Sequence, residues 1–246
     1  MTVLHLADAG EAADLAAFLA RLIHYDRAAA VRLQAGGGVL AVFGRPPSFE
    51  VLAIRTARLA DDTTLDRTVS AGELLEGVGE SAEALTVPAA VTGPPWTGVL
   101  PPRGGWQRVP GLPAPEALVR TVAAAVAEFR ARDEALPPQH RTRTERDRIG
   151  RDIWSRTLGD THLPLRAAHA AQSLGFLRPV RAGALAGGGA APGDGSPQSP
   201  QSVHGPLSLL SAGGWLRLST PYGSVAVRSG GPAGASGLSG LSVTPL

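Results

Sequence analysis

The stretch "AGGGVLAVFGRPPSFEVLAIR", residues 35–55, decides the fold class. Gly36-Gly37-Gly38 offers a tight turn, and "VLAVFGR" (39–45) alternates apolar and small residues. Pro46-Pro47-Ser48 breaks the run, and "FEVLAIRTARL" (49–59) resumes it. Glycine supplies the positive φ that a two-residue hairpin turn requires. With "AAAVRLQ" (28–34) in front, the pattern predicts a three-stranded antiparallel meander.

A second meander is expected near the other end, where "LSLLS", "WLRLS" and "SVAVR" are separated by Ala212-Gly213-Gly214 and by Thr220-Pro221-Tyr222-Gly223. Its segment "AGGWLRLSTPYGSVAVR" (212–228) lies over residues 35–55 in pattern, with Arg228 aligned to Arg55. Hairpins share such features cheaply, so an internal repeat is one reading and coincidence the other.

Helices are expected around the meanders. In "EAADLAAFLARLIH" (11–24), Leu15, Phe18, Leu19, Leu22 and Ile23 recur at spacings of three and four, which makes one apolar stripe. "SAGELLEGVGESAEAL" (70–85) predicts a short helix with a Ser70–Glu73 capping box; Glu73, Glu76, Glu80 and Glu83 would line one side. Residues 93–115 are too rich in Pro and Gly for regular structure and read as a strap. Helices follow at 116–135, 143–155 and 164–174, the last closed by Gly175 with Phe176 behind it.

The expected organisation is α+β, with two small antiparallel β-meander modules flanking a helical, Arg-rich middle. Its parts are an N-terminal helix plus three-stranded meander (1–92), a Pro/Gly-rich strap (93–115) and a three-helix segment (116–181). A flexible linker (182–202), the second meander (203–228) and a flexible tail (229–246) complete it.

Composition excludes several chemistries. There is no Cys, and all 23 basic residues apart from histidine are Arg. Thiolate nucleophiles, Cys-based metal sites, disulfides, phosphate loops of the Walker type and Schiff-base lysines are therefore ruled out. The all-Arg, Ala/Gly/Pro-rich usage is what a high-GC bacterial coding sequence produces. Formal net charge is only +2, although the pI is about 9.9. Residues 1–10 lack the basic start and apolar run of a secretory leader, and no segment approaches about 18 uninterrupted apolar residues. The expectation is a cytoplasmic chain without membrane contact.

"RTRTERDRIGRDIWSR" (141–156) carries six arginines in sixteen positions. On a helix these do not converge on one face. Acids stand four residues away at Arg143–Asp147, Asp147–Arg151, Arg148–Asp152 and Asp152–Arg156, and either Thr142 with Glu145 or Thr144 with Asp147 would cap the start. A self-paired, solvated helix is thus expected. The alternative is a nucleic-acid surface built from Arg141, Arg143, Arg148 and Arg151. Residues 1–100 carry 7 Arg against 12 acids and residues 101–181 carry 14 against 8, so one half could neutralise the other. A helix-turn-helix at "AQSLG" (171–175) fails because Pro179 and Gly183 interrupt the recognition helix. A winged helix, with the second meander as wing, is a weaker version of the nucleic-acid reading.

Enzyme signals are sparse. His24-Tyr25-Asp26 suits a helix C-terminus. His162 and His169 are seven apart with Pro164 between them and no third ligand nearby. Gly77–Ala82 fits G-x-G-x-x-A but follows a helix, not a strand. No cofactor is expected, and an enzyme with an unrecognised site is the third reading. Trp96 and Trp106 in the strap are read as anchors onto a core or, alternatively, as part of a partner-binding surface with "LPPR" (100–103). The functional expectation is a non-catalytic protein that binds a macromolecular, protein partner.

Overall fold

A computed structural model describes residues 2–78, 83–178 and 207–229. The expected linker at 182–202 lies outside these, as does the tail beyond Ser229. The first half runs β1 (Thr2–His5), α1 (Ala9–Tyr25), β2 (Ala30–Gly36), β3 (Val39–Gly44), β4 (Leu52–Arg58), β5 (Leu65–Ser70), α2 (Ala71–Glu76) and β6 (Ala84–Val87). The second runs β7 (Gln107–Val109), α3 (Pro115–Glu134), α4 (Arg143–Trp154), α5 (Leu165–Ser173), β8 (Ser208–Ala212), β9 (Trp215–Thr220) and β10 (Gly223–Arg228). The α+β class with antiparallel sheets is what the alternation patterns predict.

The two meanders join. Their strands form one eight-stranded antiparallel sheet in the order β5-β2-β3-β4-β10-β9-β8-β7. The seam is β4–β10, where Ser224 faces Ile54 and Ala226 faces Leu52. The second meander, together with β7, is therefore half of the sheet and not a separate wing. β1 and β6 pair as a small second sheet.

The halves follow one path. Each first hairpin turns at two glycines in the left-handed region, Gly37-Gly38 (φ 61° and 70°) and Gly213-Gly214 (φ 51° and 75°). β3 then pairs with β4 as β9 pairs with β10. In this register Val39 faces Arg58, and Trp215 faces Arg228. Arg228 thus corresponds to Arg58, not to Arg55. Seven residues join β3 to β4 but only Pro221 and Tyr222 join β9 to β10, which displaces a residue-by-residue match. One residue of slip reverses the face of a strand. Arg55 points toward the helices and Arg228 away from them.

Helices cover one face. α1 lies over β4 and α5 over β10, with Phe18 of α1 stacked on Phe176 (centroids 5.7 Å apart). The main core fills the space between, from Leu15, Leu19 and Leu22 to Leu40, Val42, Leu218 and Val225. α5 ends as expected: Gly175 adopts φ 75°, and the Phe176 amide donates to Ala171 at 2.7 Å. α3 and α4 form an outer hairpin on this layer.

A buried ion cluster ties the halves together. Arg55, with a side chain only 4% exposed, reaches Glu11 and Asp14 of α1 at 3.2 Å each and donates to the Tyr222 carbonyl at 2.8 Å. Arg178 also pairs with Asp14 and lies 3.9 Å over the Tyr222 ring. Desolvating these charges is costly, and the acceptors around both Arg55 Nη groups offset that cost, although its buried Nε has no hydrogen-bond partner among the described residues.

Three expectations need correction. The helix predicted for 70–85 stops at Glu76. Ser70 does cap it, accepting from the Glu73 amide at 3.4 Å. Gly77 then packs so closely on the Thr86 carbonyl that a Cβ would stand 2.2 Å from it, and the chain returns as β6. Glu73 and Glu76 therefore share a helix but Glu83 does not belong to it, and Glu80 lies outside the described residues. The strap is not wholly irregular, because it holds the 3₁₀ turn Pro95–Gly98 and supplies edge strand β7. β1 and β5 complete their sheets without having been expected.

Candidate functional site

The face of the large sheet away from the helices carries a smaller apolar cluster: Phe43, Leu52, Ile54, Trp215 and Ala226. The strap crosses it from edge to edge. At one end the Val91 amide donates to Thr68 of β5 at 2.9 Å, and Arg67 reaches the Pro88 carbonyl. Trp96, Leu100 and Trp106 pack on the cluster. Pro102 comes within 3.5 Å of where a Gly213 side chain would begin, and the chain then enters β7 at the opposite edge. Prolines suit this path because an extended segment over side chains offers few partners for amide hydrogens. Trp106 is fixed further by its indole N–H, which donates to the Pro102 carbonyl at 3.0 Å. Both Trp96 and Trp106 are half-buried and hold the strap on the sheet.

The charges of this layer are one-sided. Residues 84–115 and 207–229, which make the strap and the second meander, contain no Asp or Glu. They contain Arg103, Arg108, Arg217 and Arg228. None of these four has a carboxylate partner among the described residues. Arg228 lies 5.0 Å over the Trp215 ring and Arg217 5.7 Å over Trp106. Arg103, Arg108 and Arg228 are exposed, whereas Arg217 is half-buried and its pKa is pushed down to about 10 by burial. Buried hydroxyls run beside it, with Ser224 facing Ser219 and Ser219 facing Ser208 across three strands.

The arginine-rich helix is different. Of the two candidate caps Thr142 serves α4, accepting from the Glu145 amide at 3.3 Å. Arg141 donates to the Glu134 and Leu136 carbonyls at 2.9 Å each, closing the C-terminal end of α3. Arg143 reaches Asp147 at 3.7 Å and Arg148 reaches Glu145 at 2.9 Å. Arg146 binds Asp133 of α3 at 2.7 Å, while Arg156 binds Glu128 of α3 at 2.6 Å and Asp152 at 3.4 Å. Hydrogen bonds from Arg156 and Arg132 hold the Glu128 and Asp152 carboxyls below the usual range. Arg148–Asp152 and Asp147–Arg151 do not form, because Asp152 serves Arg132 and Arg156 and Arg148 turns to Glu145. Of the four candidates for a nucleic-acid surface, Arg151 alone lacks a partner among the described residues.

Histidines do not gather. His162 precedes α5 while His169 stacks on Trp154 (4.2 Å) and meets Phe49 edge-on (5.1 Å); burial lowers its pKa. His24 and Tyr25 close α1, with Tyr25 edge-on to Phe49. Asp61 pairs with His5 at 2.9 Å, and Asp62 accepts from the Gly38 amide. Among the described residues no group of three His, Asp or Glu side chains is placed to hold a metal ion. The cleft between α1 and the Gly175 turn, lined by Asp14, Arg21, Phe176 and Tyr222, has about 10 Å³ of free space, barely a water's worth. No helix is long and apolar enough to cross a membrane, among the described residues.

Residues 101–232 match the family model described as Domain of unknown function (DUF8185), which spans α3 to α5, β7 and the second meander. The chain belongs to the DUF8185 family. Residues 1–98, the first half, match a second model, Domain of unknown function (DUF8010). Comparisons with curated proteins and with solved structures found no match. The acid-free arginines Arg103, Arg108, Arg217 and Arg228 all fall within the DUF8185 region.

The acid-free face was missed by sequence reasoning, although its signal was present as two acid-free blocks 91 residues apart. Scanning for clustered arginines finds 141–156. Scanning for missing carboxylates finds the strap and the second meander.

Proposed function

We propose that this chain is a non-catalytic, cytoplasmic binding protein that docks an acidic segment of a protein partner on the sheet face formed by the strap and the second meander. The observation that carries the reading is the set of four arginines without a carboxylate on that layer. Arg55, Arg58 and most arginines of α4 meet carboxylates, and acids stand nearby in the sequence where others do not, whereas this layer contains no acid at all. Unmatched like charges on one face repel each other and attract polyanions.

A protein partner is favoured over single-stranded nucleic acid by the tryptophans. Bases stack on open ring faces. Trp106 and Trp215 each have Arg over one face and pack into the apolar cluster. Carboxylates need the guanidinium groups, not the rings.

The test is a titration of the full chain with deca-glutamate, a neutral decapeptide and single-stranded DNA of equal charge, followed by tryptophan fluorescence at low and near-physiological salt. Saturable binding of deca-glutamate that weakens with salt supports the reading. Tighter binding of DNA transfers the face to nucleic acid, and no binding at low salt removes the reading.

A further inference from the structure

Arg217 is half-buried on the strap side of the sheet, and no carboxylate pairs with it among the described residues. It projects from β9 on the strap side, between Leu210 of β8 and Ala226 of β10, both apolar. Its Nε donates to the Ser224 hydroxyl at 2.8 Å, and its guanidinium stands 5.7 Å from the Trp106 ring centre. Arginine carries five N–H donors. One is engaged here, and the Nη groups have no hydrogen-bond partner among the described residues.

Arg55 makes the contrast. It is fully buried, on the opposite face of the same sheet, and its Nη groups meet Glu11, Asp14 and the Tyr222 carbonyl. The fold can surround a buried guanidinium with acceptors. At Arg217 Ser224 holds only the Nε, Trp106 stands alongside, and neither Nη group meets an acceptor among the described residues. Desolvation without a counter-charge is unfavourable, as the lowered pKa reflects. Such a group is primed for an incoming oxyanion, because two parallel N–H donors match the two oxygens of a carboxylate.

We infer that Arg217 is the anchor of the docking face, a site whose guanidinium fork takes one Asp or Glu carboxylate of the bound segment beside Trp106 and Ser224. The inference rests on the docking reading for the source of its carboxylate. Arg108 and Arg228 then act as the rim. Arg108 faces Leu210 and Arg228 faces Trp215, so they lie on either side of Arg217 on the same surface.

The experiment compares the wild-type chain with R217M, using calorimetric titration of deca-glutamate and thermal melting with and without inorganic phosphate. Wild type is expected to bind the peptide, and R217M at least about tenfold more weakly, because a bidentate charge-assisted pair is lost. The melting temperature of R217M should equal or exceed that of wild type, since a half-buried charge without a counter-charge has been removed. Equal peptide binding by both chains overturns the anchor and leaves the docking reading standing. If neither binds peptide but phosphate stabilises wild type alone, the docking reading and the carboxylate assignment both fall, and the site is one for a free anion. If neither ligand acts on wild type, both proposals fall. Should R217M not fold, R217K decides the matter: it keeps the charge but loses the fork, so a similar loss is expected and unchanged affinity overturns the anchor.

Discussion

Helix α4 and the strap-side face of the second meander both present arginine, and they present it in opposite states. α4 has the higher density by far. Yet Arg141 closes a helix end, Arg143, Arg146, Arg148 and Arg156 each meet a carboxylate, and only Arg151 is left over among the described residues. The strap and second meander hold four arginines in 55 residues and no acid. The field that a partner feels depends on uncompensated charge, and residue density says little about it.

The comparison can be broken in four ways. The largest effect is expected at the compensated extreme. Arg55→Ala takes one of two arginines from the buried Glu11, which keeps Arg58 at 2.9 Å, and removes the donor to the Tyr222 carbonyl, so it should cost about 2–3 kcal/mol. Urea unfolding measures it, and a loss under about 1 kcal/mol would mean the cluster is not a structural keystone.

Next comes the uncompensated face. Reversing Arg108 and Arg228 together to Glu should weaken deca-glutamate binding by roughly tenfold or more. Fluorescence titration reports it, and unchanged affinity would remove the rim from the site.

A smaller effect separates the regions by pH. The Glu128 and Asp152 carboxyls sit below the ordinary carboxylate range because Arg156 and Arg132 donate to them. A depressed folded-state pKa contributes stability that is present above the unfolded value and lost as pH falls through the folded one. Helicity from α3 and α4 should therefore weaken only below about pH 4. Acid titration by circular dichroism should show a shallower fall for E128Q, and identical curves would show the pairs to be inert.

The smallest effect is expected from R148E with R151E. One exposed pair to Glu145 is lost, so unfolding midpoints should be nearly unchanged and peptide affinity should move less than about twofold. A strong loss of peptide binding here would relocate the site to α4.

Much of this was legible locally. The Gly37-Gly38 and Gly213-Gly214 turns, the Thr142 cap and the Gly175 helix end all rest on chemistry confined to a few neighbours. So does the α4 charge pairing in outline, though Arg146 and Arg156 chose acids on α3 that no spacing within α4 points to. The seam between Ile54 and Ser224 joins residues 170 apart, and no short-range pattern encodes it. β7 was hidden because a three-residue edge strand between Gly105 and Pro110 has no periodicity to read. The site itself fell between these cases. Its lack of carboxylates is written in the chain, but it becomes a surface only when the strap is laid over the sheet.

The strap's path also sets an order of assembly. β7 leaves the ribosome early, yet its one partner strand, β8, follows about 100 residues later, a wait of roughly 5–20 s at common synthesis rates. Until then the first half carries an unpaired edge at β4 and an apolar face that its belt can grip at only one end. An open strand edge of that kind invites pairing with other nascent chains. The newborn first half is thus the stage at which this protein is most vulnerable to aggregation, and slow translation between Val109 and Ser208 would lengthen the exposure.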